Sequence, residues 1–169
     1  RDLHAFPTRR SSDLEKCSGA FFLDWTGAFQ AGAEAAGGKG WNLGRLKRYG
    51  FNVPAGGVLV ADAYRDFIEE NNLLEDMGKI TRIITTGNIG DKEIEQKLLS
   101  FREKIKAGHI PSSVRDELEG KLKTIGILAK PVAVRSSATA EDSGKASFAG
   151  IHQSFLNVRG FDNILSAIK

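Results

Sequence analysis

Cysteine is nearly absent. Cys17 is alone among 169 residues, so no internal disulfide and no thiolate metal cluster can form. A single thiol fits a reducing, cytoplasmic setting. No apolar run approaches the about 18 residues that a membrane span needs, and the first residues lack the apolar stretch of a signal peptide. There is no internal repeat and no low-complexity tract. The net charge of +3 is mild and spread along the chain; it suits anionic small molecules, while the lack of a dense Lys/Arg patch argues against nucleic acid. What is present, 41% hydrophobic and 27% charged residues over this length, describes an ordinary globular chain of one domain or slightly more.

Residues 1–14 resemble a translated sequencing adapter of the kind that contaminates assembled reads, and we set them aside as a non-native segment. They carry a net +1, leaving +2 for the remainder, and on this reading the native N-terminus is missing and His4 has no functional meaning. From residue 15 onward the pattern predicts an α+β fold. Phe21 to Leu23 reads as a strand entering the core, with Gly27 and Gly32 as breakers. Lys39 to Tyr49 reads as a helix stopped by Gly50, Val58 to Val60 as a short buried strand, and Asp62 as the cap of a helix reaching Asn71. Leu73 to Thr86 reads as a further helix closed by Gly87-Asn88. Ile94, Leu98, Phe101 and Ile105 draw an apolar stripe along a helix from Asp91 to Ala107, ended by Gly108. Val114, Leu118, Leu122 and Ile125 repeat the spacing in a helix opened by Pro111-Ser112 and followed by Gly126.

Val132 to Arg135 and Gln153 to Val158 complete the strands. Gly160-Phe161-Asp162-Asn163 starts a last helix that reaches Lys169 without a stop signal, so the expectation is a longer polypeptide. The strands at Val58–Val60, Val132–Arg135 and Gln153–Val158 are expected to share one small, mostly antiparallel sheet with helices packed on it.

Two stretches suit anions. From Val132 to Gly150 a β-branched run delivers Arg135, then the hydroxyls of Ser136 and Ser137, then a loop of small residues ending in Ser147-Phe148-Ala149-Gly150. A planar guanidinium grips phosphate oxygens in bidentate fashion, and small residues let backbone N–H groups approach the same oxygens. The stretch fits a strand end and a solvated turn equally well. Gly37-Gly38-Lys39-Gly40 places Lys39 in the first turn of a helix beside free backbone N–H groups, a reasonable phosphate site. It fails the P-loop pattern, because five residues separate Gly32 from Gly38-Lys39 and a glycine follows the lysine. A solvated surface lysine is the plain alternative. His109, before Ile110-Pro111, reads as a surface loop residue, and His152 adjoins the small-residue loop. Glu141 and Asp142 read as a solvated acidic turn, since two neighbouring carboxylates make a poor octahedral magnesium shell. No metal ligand is assigned.

Three segments taken together resemble one family. Gly37-Gly38-Lys39-Gly40 through Leu46 is the first. The second is Val53-Pro54-Ala55-Gly56 with Ala61-Asp62-Ala63-Tyr64-Arg65-Asp66-Phe67. The third is Val132 to Gly150, extended by Phe155-Leu156-Asn157-Val158-Arg159-Gly160. They resemble the start of the phosphoenolpyruvate synthase and pyruvate phosphate dikinase family, whose wider group includes the rifampin phosphotransferases.

The resemblance implies that residues 15–169 are the first lobe of an ATP-grasp nucleotide-binding domain, truncated at its C-terminus. In such enzymes ATP phosphorylates a histidine on a separate swivelling domain, and the phosphohistidine then serves the acceptor. For the synthase the acceptor is pyruvate, and AMP and phosphate are the other products. Carried over residue by residue, the resemblance implies catalytic roles for Lys39 and Arg135 on the ATP phosphates, with Gly38 and Ser136 beside them. Ser147, Phe148, Ala149 and Gly150 would cover the phosphates with backbone N–H groups. Magnesium ligands, the adenine-contacting segment, the phosphohistidine and the pyruvate barrel would belong to other parts of the full-length protein. Neither His109 nor His152 sits in a phosphohistidine motif, so this stretch alone is expected to be inactive. The acceptor could equally be phosphate or an antibiotic; the residues from Phe155 to Gly160 and the helix from Ala61 to Phe67 look closest to the synthase. A module that holds an anion without chemistry is the reading from a different class.

Overall fold

A computed structural model describes residues 19–84, 91–137 and 153–169. In chain order they form β1 (Phe22–Asp24), α1 (Trp25–Ala31), α2 (Ala33–Arg48), β2 (Gly57–Leu59), α3 (Ala61–Glu70), α4 (Leu74–Ile83), α5 (Lys92–Ala107), α6 (Ser112–Thr124), β3 (Val132–Arg135), β4 (Ser154–Val158) and α7 (Phe161–Ile168). The class is α+β. No described helix is long and apolar enough to cross a membrane.

Helix boundaries follow local chemistry. At the start of α5 the Asp91 carboxylate accepts the Glu93 N–H at 2.9 Å, filling one of the donors that a helix start leaves open. Three helices end alike. At Gly50, Asn72 and Gly126 the backbone turns left-handed, with φ of 82°, 55° and 71°. Behind α2, Gly50 N–H then donates to Lys47 O and Phe51 N–H to Leu46 O; the pairs Asn72–Glu69 and Leu73–Ile68, and Gly126–Lys123 and Ile127–Leu122, repeat this closure. Gly108 ends α5 differently, in extended backbone, and the ammonium of Lys169 donates to the carbonyls of Lys106 and Gly108 at 2.8 and 3.1 Å.

Several local expectations are corrected. Gly27 is not a breaker but lies inside α1, where its N–H donates to the Asp24 carboxylate at 2.7 Å and so starts the helix; Gly32 does separate α1 from α2. Val60 rather than Asp62 is the N-cap of α3. Asp62 lies in the first turn, paired with Arg65 at 3.0 Å, where its charge still suits the helix dipole. The single expected sheet is instead two antiparallel pairs, β1–β2 and β3–β4. The strand at Val58 takes β1 as its partner, with Phe22 opposite Leu59, Leu23 opposite Val58 and Asp24 opposite Gly57. β3 is left to pair with β4, with Val132 opposite Val158, Val134 opposite Phe155 and Arg135 opposite Ser154, and a bulge between Val132 and Val134.

Both sheets feed one core. Phe22, Leu118, Leu122, Ile127, Ile164 and Leu165 are buried together, and Leu59, Val132, Val134 and Val158 pack on them. The apolar stripe of α6 is thus realised, since Val114, Leu118 and Leu122 are all buried. α6 also grips β1 by a polar contact that hydropathy does not announce: the Glu117 carboxylate accepts the N–H groups of Phe21 and Phe22, each at 3.0 Å. The stripe on α5 is only half used. Phe101 and Ile105 pack against Phe67, Ile68 and Leu73, whereas Leu98 is 40% exposed.

Candidate functional site

The Lys39 region is built from a broken helix. Within α2 the backbone of Gly37 is non-helical, with φ 69° and ψ 162°, so the helix restarts behind it and Gly38 and Lys39 occupy its new first turn. A side chain at Gly37 would normally cap the N–H groups two or three residues on. Glycine has none, and the cap comes from elsewhere. The Ser137 hydroxyl accepts the Gly40 N–H at 3.1 Å and donates to Ala36 O at 3.0 Å. One hydroxyl therefore closes the turn before the break and the turn after it. The fit requires glycine, because a Cβ at Gly37 would overlap the carbonyl and hydroxyl of Ser137. Gly37, Gly38 and Gly40 are buried and Lys39 is half-buried.

The N–H groups at this helix start were expected to be free for an anion. That of Gly40 is not, because a buried donor at a helix end takes the nearest acceptor, here Ser137. One backbone donor of the Lys39 turn is thus already occupied within the fold.

Arg135 comes from the other segment. Alternation along β3 turns Val132 and Val134 to the core and leaves Ala133 and Arg135 exposed, while Ser136 and Ser137 are half-buried. Arg135 stands two residues before Ser137, and Lys39 one residue before Gly40. The Ser137–Gly40 hydrogen bond thus joins the two basic segments across 97 residues of sequence. Ser147, Phe148, Ala149 and Gly150 lie outside the described residues, as do His152, Glu141, Asp142, Cys17, Gly87-Asn88 and residues 1–14. His109 is exposed between α5 and α6, with its backbone N–H and carbonyl both held by the Asn71 side chain, at 2.7 and 2.8 Å.

Sequence reasoning missed Ser137 as a contact, although it noted the paired hydroxyls. A Ser-Ser doublet after a strand arginine is the only signal, and it does not say which hydroxyl turns inward. Among the described residues no three His, Cys, Asp or Glu side chains converge on a point that could hold a metal ion.

Perturbed titrating groups lie around α4 and α5. The Lys104 ammonium, hydrogen-bonded to Asp76 across the two helices, holds that carboxyl below the usual range. Lys106 does the same to Glu103, and Glu75 raises Lys79. A groove between these helices is lined by Ile80, Ile83 and Phe101 together with Lys79, Lys97 and Lys104. Those lysines pair with Glu75, Glu93 and Asp76, so the groove carries little unbalanced charge.

Residues 33–169 match the family model described as the pyruvate phosphate dikinase AMP/ATP-binding domain. A phosphoenolpyruvate synthase of Aquifex aeolicus is 39% identical over 145 residues, covering 79% of this chain and 16% of the relative. A probable phosphoenolpyruvate synthase of Methanocaldococcus jannaschii is 37% identical over 141 residues, covering 80% and 12%. The phosphoenolpyruvate synthase of Pseudomonas aeruginosa is 36% identical over 143 residues, covering 80% and 18%. The chain therefore spans between 12% and 18% of the length of these relatives.

Proposed function

Because the chain belongs to the pyruvate phosphate dikinase AMP/ATP-binding domain family, we propose that its Lys39 helix start and its Arg135 strand end together hold the phosphates of ATP. The observation that carries this reading is the Ser137 hydroxyl, which ties the two cationic segments into one place. Arg135 supplies a planar fork for two phosphate oxygens, and Lys39 supplies a compact charge at a helix start whose dipole also favours an anion. Gly38 lets the backbone approach closely, and Ser136 offers a hydroxyl beside Arg135. Ser147, Phe148, Ala149 and Gly150 complete the reading as the segment that covers the nucleotide.

In the full-length protein we read this lobe as the first part of an ATP-grasp unit in a phosphoenolpyruvate synthase-like phosphotransferase. The balanced reaction is ATP, pyruvate and water to AMP, phosphoenolpyruvate and phosphate, with a histidine on another domain as the phosphoryl carrier. The names of the relatives favour pyruvate over phosphate or an antibiotic as acceptor. Positioning and charge neutralisation are the main demands of phosphoryl transfer, and Lys39 and Arg135 meet both. Magnesium, when bound, would supply neutralisation of phosphate charge; among the described residues no three His, Cys, Asp or Glu side chains converge to hold it, and no step here is assigned to it.

The test uses the full-length polypeptide. Lys39→Ala and Arg135→Ala should each abolish AMP formation from ATP in the presence of pyruvate while leaving the unfolding midpoint near that of wild type. Turnover retained in both variants would overturn the proposal. Phosphate and rifampin, offered as acceptors in parallel assays, distinguish the synthase from its relatives, and ATP binding without turnover on any of the three would leave an anion-holding module.

A further inference from the structure

We infer that Ser137 is a positioning residue of the phosphate grip, setting the separation between Lys39 and Arg135. The inference rests on the reading that these two cations hold ATP. Three observations carry it. The hydroxyl makes two hydrogen bonds, 3.1 Å from Gly40 N and 3.0 Å to Ala36 O, and these join α2 to the residues just beyond β3. The joined groups are 97 and 101 residues apart, so no short loop could hold them in register instead. The facing position is Gly37, with φ 69°, where an added Cβ would overlap the carbonyl and hydroxyl of Ser137.

The chemistry explains why the bridge is a neutral hydroxyl. A neutral bridge adds no charge of its own to a site meant for phosphate. A carboxylate in place of Ser137 would accept the Gly40 N–H but could not donate to Ala36 O, and its negative charge would oppose phosphate. A hydroxyl, donor and acceptor at once, completes the broken helix without changing the charge of the site. Its distance from each cation along the chain is short, one residue from Gly40 to Lys39 and two from Ser137 to Arg135. A shift at this bridge therefore reaches both side chains, and ligand geometry is sensitive to displacements of about 1 Å.

The experiment measures ATP and adenosine affinity of the full-length polypeptide, with the unfolding midpoint in parallel. Ser137→Ala removes both hydrogen bonds without adding volume, and Ser137→Thr keeps the hydroxyl. Ser137→Ala is expected to weaken ATP roughly tenfold while changing adenosine by less than about twofold, and Ser137→Thr to restore most of the ATP affinity. Equal weakening of both ligands would assign Ser137 a merely structural role, and unchanged ATP affinity would assign it none; either result overturns the inference. If wild type does not bind ATP, the phosphate reading itself falls and the positioning role with it. If wild type binds and Ser137→Ala binds equally well, only the positioning role falls.

Discussion

Replacing Gly37 by alanine tests the join between α2 and β3 through folding alone, with no assumption about ligand. Two costs add. Gly37 sits at φ 69° and ψ 162°, a region that residues with a Cβ essentially do not enter; forcing alanine there costs about 1–3 kcal/mol. The new Cβ would also overlap the carbonyl and hydroxyl of Ser137, displacing the group that caps the restarting helix. Loss of a serine cap costs about 0.5–2 kcal/mol. A destabilisation of about 1.5–5 kcal/mol follows, and with a urea m-value of about 2 kcal/mol/M the midpoint should fall by about 0.75–2.5 M. Urea denaturation followed by the fluorescence of Trp25 and Trp41, which both lie near this join, provides the assay.

Gly50→Ala is the control. It shares a left-handed φ, 82°, but its Cβ would meet nothing within 4 Å, so only the backbone cost of about 1 kcal/mol applies. Adding Ser137→Ala to Gly37→Ala should cost little more, because the cap is already displaced. Equal midpoints for Gly37→Ala and Gly50→Ala would refute the claim that contact with Ser137 fixes residue 37 as glycine.

Other outcomes follow from the core and the charged surface. Leu118→Ala, at a position only 3% exposed, should lower the unfolding free energy by about 2–5 kcal/mol in the same urea assay. Glu117→Gln keeps the shape of the side chain but loses the charge that serves the N–H groups of Phe21 and Phe22 at the start of β1; a loss of about 1–3 kcal/mol is expected, and protection of these two amides from hydrogen exchange should drop. Acidification should loosen the pairing of α4 with α5. The Asp76 carboxyl is held low chiefly by the hydrogen bond from Lys104, so its contribution is complete above the unfolded value near about pH 4 and is lost as pH falls through the lower folded value. Thermal midpoints measured from about pH 6 to about pH 2 should therefore converge for wild type and Asp76→Asn at the acid end. High salt should shrink the difference at pH 6, since the pair is exposed.

The sequence made the helices more legible than the sheets, for a physical reason. Val114, Leu118 and Leu122 announce α6 because a helix face is written at fixed local spacing, and Gly50 and Gly126 mark ends whose geometry needs only the next residue or two. Strand pairing is a long-range choice. Nothing local to Val58 says that its partner is Leu23 rather than Val132, and the expected single sheet proved to be two. α1 was hidden because Gly27 has the look of a breaker, while its start depends on the Asp24 side chain three residues earlier. At the candidate site, Lys39 and Arg135 were legible as residue types suited to phosphate. Their joining through Ser137 was not, since a cap supplied from 97 residues away leaves no trace in the spacing around Gly37.

The closeness of α2 to its neighbours has a kinematic consequence. A Cβ on Gly40 would strike the Val58 side chain, and one on Gly44 would come within 2.9 Å of Phe29 Cβ and N. On this face the helix presents bare backbone. Interfaces made of long side chains can slide by exchanging rotamers, but main chain resting on its neighbours has no rotamers to exchange. The helix is therefore held fixed against Val58 and Phe29, and the freedom left to Lys39 is rotation of its own side chain.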